Sequence, residues 1–96
     1  MKIVKPVVGA KWAKATKQRI AWRHNLGLNS KVRIELSRNG GRLWKVIAPW
    51  VNNSRPDTGF YNWIVTGPPT PQARLRVSWR GVGYRAGATS ARFAIV

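Results

Sequence analysis

Arginine recurs at alternate positions along several apolar stretches of this 96-residue chain. In residues 73–79 (ARLRVSW), Arg74 and Arg76 alternate with Leu75 and Val77, so a β-strand would turn the two kinds of side chain to opposite faces. A guanidinium donates hydrogen bonds in a fixed fork and can hold a phosphate, sulfate or carboxylate through two of them. This spacing therefore predicts the binding of anions by a row of arginines.

Positive charge greatly exceeds negative charge, with 18 Lys and Arg against two acids and a formal net charge of +16. Surfaces normally mix both signs, and like charges that face each other across strands destabilise a sheet unless something neutralises them. We therefore favour a polyanionic partner, nucleic acid first and an anionic glycan or lipopolysaccharide second, over a basic surface kept for solubility. The candidate binding residues lie at predicted outward positions: Arg19, Arg23, Lys31, Arg33, Arg74, Arg76, Arg80 and Arg92.

Residue types that perform catalysis or bind metals are scarce. Glu35, Asp57 and His24 are the only carboxylates and imidazole of the chain, and cysteine is absent. A protein zinc site needs three or four ligands, and a catalytic triad needs a nucleophile placed beside its base. Neither pattern is present, so the sequence predicts a protein that is not an enzyme and that holds no metal or other cofactor.

The six tryptophans differ in their place in the alternation of apolar and polar residues. Three fall at inward positions and are expected in the core: Trp22, Trp44 and Trp63. Trp79 alternates inward in the same way. Trp12 and Trp50 lie in less regular stretches, and they are the candidates for an exposed stacking or interface surface; the alternative is that they cover one end of the fold.

Apolar and polar residues alternate with a period of two in most of the chain, as in half-buried antiparallel strands. The pattern is clearest in four segments: residues 17–24, 31–37, 73–79 and 90–96. We expect about seven strands spaced by about 8–12 residues, and hence a single all-β sandwich domain over residues 1–96.

Turn-forming residues separate these segments. Asn39-Gly40-Gly41 predicts a hairpin, and residues 52–59 predict a loop. Residues 67–71 (GPPTP) are expected to leave the sheet, because proline lacks the backbone donor. We expect residues 81–87 to be a flexible connection, and residues 10–18 to form a strand-edge loop rather than a helix.

Several of these segments carry a pattern shared with a known class of module: residues 20–22, 32–41, 44, 59–65, 73–77 and 93–95. Over nearly its whole length the chain resembles the immunoglobulin-like, or fibronectin III-like, β-sandwich modules of bacterial surface and secreted proteins. The resemblance implies that the third, sixth and seventh of the expected seven strands, at residues 31–37, 73–79 and 90–96, share one sheet. That sheet would place six cations on one face: Lys31, Arg33, Arg74, Arg76, Arg80 and Arg92.

Two other origins of the charge remain open. The chain would also suit a structural or decoration subunit of a shell, fibre or virion surface, in which Trp12, Trp50 and the uncharged residues 67–71 contact an acidic scaffold or further copies. An engineered, positively supercharged scaffold is the other alternative. Residues 1–10 lack the apolar core of a secretory signal, while the resemblance suggests an extracellular or virion-surface location, so the localisation stays unknown.

Overall fold

The computed structural model describes residues 1–24, 31–52, 57–81 and 84–96, apart from the side chains of residues 80, 81 and 84–86. Every helix or strand in this part of the chain is a β-strand, which confirms the predicted all-β class. The strands are β1 (Lys2–Lys5), β2 (Lys11–Trp12), β3 (Lys17–Arg23), β4 (Lys31–Ser37), β5 (Lys45–Asn52), β6 (Thr58–Ile64), β7 (Thr70–Gly81), β8 (Tyr84–Thr89) and β9 (Phe93–Ile95).

The strands form two sheets that face each other as a sandwich. The smaller sheet has the order β1-β3-β6, and the larger has the order β2-β9-β7-β4-β5, with β8 also paired to β7. β2 runs parallel to β9, and the other described pairings are antiparallel. The larger sheet therefore contains β4, β7 and β9, the strands in which most of the candidate arginines lie.

Both sheets contribute alternate residues to one apolar core. From the smaller sheet, Ile20 and Trp22 are almost completely buried, and Trp63 is buried beside them. The larger sheet adds its own alternating set: Val32, Ile34, Leu36, Ala73, Leu75, Val77, Phe93 and Ile95. These positions agree with the period-two pattern, and Trp79 packs half-buried against the same core as expected.

The interpretation of Trp12 as an exposed surface is wrong. The short strand β2 pairs with β9, which places Trp12 opposite Ile95 at the end of the core. Its side chain is 8% exposed, and its ring centroid lies 5.1 Å from that of Phe93 and 6.3 Å from that of Trp63. Trp12 therefore covers one end of the sandwich and stabilises it by burying a large aromatic surface.

The expectation that Trp44 lies in the core is also wrong. β5 begins one residue later, at Lys45, so Trp44 belongs to the turn that precedes the strand and does not follow its alternation. The indole is half-buried, and the Arg76 guanidinium carbon lies 4.2 Å from its ring centroid. Since Arg76 lies on the solvent side of the larger sheet, Trp44 is placed on that side as well.

Four predicted connections contain strand. Residues 10–18 include β2 and the start of β3, and residues 52–59 include the end of β5 and the start of β6. Within residues 81–87, expected to be flexible, β8 begins at Tyr84 and pairs with β7 in a regular antiparallel ladder, while residues 82 and 83 lie outside the described chain. β7 begins at Thr70, inside the expected 67–71 loop, and a register shift between Thr70 and Ala73 accommodates Pro71. Of the predicted 52–59 loop, residues 53–56 lie outside the described chain.

We expect Ala15→Gly to stabilise the protein by about 0.5–1 kcal/mol. Ala15 has a φ of 64°, a left-handed conformation that strains residues with a Cβ, and its exposed side chain makes no compensating contact with the core. Ala13, in the same turn and equally exposed, has no positive φ, so Ala13→Gly should be destabilising instead. Urea unfolding of both variants tests the difference in sign, and a similar loss at both positions would contradict it.

Candidate polyanion-binding face

The solvent side of the larger sheet carries the candidate cations of β4 and β7. Because Ile34 and Leu75 turn into the core, their neighbours along the strands face outward. Strand pairing places Arg33 opposite Ser78, Glu35 opposite Arg76, and Ser37 opposite Arg74. We call this surface the arginine face, and it consists of Lys31, Arg33, Glu35, Arg74 and Arg76, together with Arg92, which lies exposed just before β9 next to the inward-facing Phe93.

The single acid on the arginine face is already paired. Arg76 Nη2 lies 3.1 Å from Glu35 Oε2, and Arg76 Nε donates to Glu35 Oε1 at 3.3 Å. The carboxylate is mostly buried, with its side chain 14% exposed, and the guanidinium also stacks on Trp44. The charge of Glu35 is thus taken up by Arg76 and does not neutralise the other cations of the face.

Within the described residues, the remaining cations of the face have no ion pair: Lys31, Arg33, Arg74 and Arg92. Arg74 is half-buried, and its Nε is a buried donor for which the described residues provide no acceptor. A charged donor that loses water without gaining a partner is destabilising, and an anion at the exposed part of the guanidinium would offset this cost. The described residues therefore provide no counter-charge for these four cations.

The arginine face extends along most of the larger sheet. At one end, Arg33 on β4 faces a bulge of two β5 residues, Pro49 and Trp50, because Val32 pairs with Val51 and Ile34 with Ala48. Trp50 is 69% exposed there, consistent with its choice as a stacking or interface candidate. At the hairpin end, a Cβ added to Gly40 would lie 3.4 Å from Arg92 Nη2, so Arg92 lies beside the β4–β5 turn.

Arg19 and Arg23 do not join this face. Both are exposed on β3, in the smaller sheet on the other side of the sandwich, where Arg23 pairs with Lys2 of β1. The guanidinium carbon of Arg19 lies 4.4 Å from the Phe60 ring centroid. The seven candidate residues whose side chains are described are therefore divided between two faces. Arg80 lies in β7, and its side chain is outside the described part of the chain.

A groove of about 640 Å³ adjoins the arginine face at the hairpin end, and sequence reasoning missed it. The apolar residues that line it come from β4, the β4–β5 turn, β5, β6 and the β6–β7 loop: Leu36, Leu43, Trp44, Ile47, Trp63 and Pro68. The sequence offers one signal for it: two loop segments, residues 38–44 and 66–68, each contain apolar residues beside their turn-forming residues.

Hydrogen bonds join the two loops that border the groove. Arg38 donates to the Pro68 carbonyl (2.8 Å) and, through Nη2, to the carbonyl and hydroxyl oxygens of Thr66 (both 3.0 Å). Thr70 Oγ1 donates in turn to the Arg38 carbonyl at 2.7 Å. Asn39 Oδ1 accepts from the Leu43 amide at 2.9 Å and thereby closes the β4–β5 turn. Arg38 thus forms a clasp, a set of hydrogen bonds that links the end of β4 to the loop after β6.

His24 and Asp57 are neighbours through the backbone. The amide of the buried His24 donates to the Asp57 carbonyl at 3.0 Å, which continues the β3–β6 ladder, and the Asp57 side chain is exposed. No group of three or more His, Asp and Glu side chains that could hold a metal ion occurs in residues 1–24, 31–52, 57–81 and 84–96. Strand pairing therefore explains why His24 and Asp57 lie next to each other.

Comparison with protein-family models, with curated proteins and with solved structures finds no match. The part of the chain that the structure describes contains no helix long and apolar enough to cross a membrane.

Proposed function

We propose that this protein is a non-catalytic binding module that holds a polyanion, nucleic acid first, on the arginine face with little sequence specificity. One observation carries the proposal: Lys31, Arg33, Arg74 and Arg92 share a face with a single acid, and that acid is taken up by Arg76. A chain of phosphates would supply the missing counter-charge at several points at once.

The geometry of the face favours contacts to a backbone over contacts to bases. Alternate residues of a strand are about 7 Å apart, so Arg74 and Arg76 present guanidinium groups at intervals along a nearly flat surface. A sheet surface without an inserted helix or loop reaches the base edges in a groove poorly, and phosphate contacts carry no sequence information. We therefore expect similar affinity for strands of different sequence.

The expected signature of this function is a strong dependence of affinity on salt. Contacts to phosphate release condensed counterions, so the logarithm of the association constant should fall linearly with log salt, with a slope of about −3 if the four unpaired cations each contact a single-strand phosphate. Fluorescence anisotropy of a labelled oligonucleotide measures this slope. Binding that is undiminished at about 1 M salt would contradict the proposal.

A pair of charge-matched double variants locates the contact. Replacing Arg33 and Arg92 with glutamine removes two exposed charges from the arginine face, and should lower affinity about 25-fold at about 0.1 M salt and reduce the slope by about 1.4. Replacing Arg19 and Arg23 with glutamine removes the same charge from the smaller sheet and should have a clearly smaller effect. Equal losses would mean that only net charge matters, and a larger loss in the control would move the site to the smaller sheet.

A second function, docking on an acidic scaffold or onto other copies of the chain, is favoured by Trp50. This indole is 69% exposed on the edge strand β5 beside Arg33, and exposed tryptophans are enriched at protein interfaces. In that case size-exclusion chromatography without nucleic acid should show discrete oligomers that Trp50→Ala dissociates. A monomer at low and at high salt would contradict docking onto other copies of the chain and leave the first function standing.

We also infer that the domain is an immunoglobulin-like module. The grouping of β1, β3 and β6 in one sheet and of β4, β7 and β9 in the other supports this, because the corresponding strands of that fold are divided in the same way.

A further inference from the structure

We propose that the groove beside the arginine face receives an unstacked base of a single-stranded nucleic acid, while the face itself holds the phosphates. This inference rests on the proposed function and assigns its substrate class as single strands rather than duplex. Proteins that bind single strands combine a basic track for the backbone with aromatic residues on which bases stack.

The groove and the arginine face are continuous through one residue. Trp44 lines the groove, and the same indole is covered by the Arg76 guanidinium at 4.2 Å from the ring centroid. A strand whose phosphates lie along Arg74 and Arg92 would reach the groove at the hairpin end of the sheet, where Arg92 lies beside Gly40. Phosphate and base contacts can therefore be made by neighbouring nucleotides.

The wall chemistry favours a base over a sugar ring. Leu43, Trp44, Ile47, Trp63 and Pro68 provide apolar and aromatic surface. Two of the polar side chains beside them are already engaged, because the terminal nitrogens of Arg38 donate to Pro68 and Thr66, and Asn39 Oδ1 accepts from Leu43. A sugar with several hydroxyls would lose hydrogen bonds to water there, whereas a flat base gains stacking on its faces.

The groove also contains an exposed cation. Lys45 lines it at the start of β5, and within the described residues it has no ion pair. A lysine at this position suits the phosphate of the nucleotide whose base enters the groove, and together with Trp44 it gives the groove one aromatic and one electrostatic contact for the same nucleotide.

The test compares an oligothymidine strand with a strand of the same length and charge in which every nucleotide is abasic. We expect the oligothymidine to bind about tenfold more tightly at the same salt concentration, with a similar salt slope for both. Failure of both strands to bind contradicts the proposed function. Equal binding of the two strands contradicts the inference about the groove and leaves the proposed function standing.

Three variants locate the base. Trp44→Ala should abolish the preference for the strand with bases without changing affinity for the abasic strand. Leu43→Ala, at a side chain that is 73% exposed and therefore not needed for folding, should reduce the same preference about threefold. Phe60→Ala is the matched control, because Arg19 covers that ring at 4.4 Å and Phe60 does not line the groove, so this variant should leave the preference unchanged.

Two results would overturn the placement of the base. If Phe60→Ala lowers the preference as much as Leu43→Ala does, the base does not lie in the groove. If heparin binds the unmodified protein more tightly than the oligothymidine does, and Trp44→Ala and Leu43→Ala weaken heparin binding, then the groove holds a sugar ring of an anionic glycan.

Discussion

Replacing Trp22 with alanine is expected to lower the free energy of unfolding by about 3–5 kcal/mol. Trp22 is 1% exposed at the centre of the core, so truncation removes a large buried apolar surface and leaves a cavity that the two sheets cannot close. In a domain of 96 residues this corresponds to a melting temperature lower by at least about 12 °C. Thermal unfolding followed by circular dichroism measures the shift.

Trp50→Ala is the control for this prediction. The same chemical change is made on the edge strand β5, at a side chain that is 69% exposed, and surface substitutions of this kind usually change stability by no more than about 0.5 kcal/mol. If both variants lost the same stability, Trp22 would not be the centre of the core.

Gly59→Ala is expected to destabilise the protein by about 1–3 kcal/mol. Gly59 on β6 pairs with Trp22 on β3, and an added Cβ would lie 2.5 Å from Cε2 of the indole. The ring is enclosed by the core and cannot move away without disturbing it. Gly87→Ala, where an added Cβ comes no closer than 3.4 Å to another atom, should change stability much less.

A double-mutant cycle distinguishes this clash from a general intolerance of alanine in β6. Trp22→Phe removes part of the bulky ring, so it should make room for the methyl group of Gly59→Ala. The double variant should then be more stable than the sum of the two single losses predicts, by at least about 0.5 kcal/mol. Strictly additive losses, measured by urea unfolding, would show that contact with Trp22 is not the cause.

The strands and most of the core were predictable because they depend on local alternation. Ile20, Trp22, Val77 and Phe93 are buried where the period-two pattern places them, and the neighbouring arginines are outward for the same reason. In a strand that buries one face, every second residue is apolar, and this pattern is visible in the sequence. The division of the arginines between two faces was not local, since it depends on which strands share a sheet.

The errors fall where alternation carries no information. Trp12 is buried by a two-residue parallel pairing with β9, a contact between distant parts of the chain that is too short to leave a pattern. Trp44 lies in a turn, where the phase of the following strand does not apply. The groove was missed for a related reason, because its walls come from strands and loops far apart in sequence that only the folded sandwich brings together.

The clasp made by Arg38 has a consequence for the energetics of binding. Arg38 follows β4 of the larger sheet, and its guanidinium donates hydrogen bonds to Thr66 and Pro68, which follow β6 of the smaller sheet. The separation of the groove walls is therefore set before any ligand arrives, and the loops do not have to be ordered on association. Such preorganisation lowers the entropic cost of complex formation, so that even a shallow apolar groove can contribute measurable affinity.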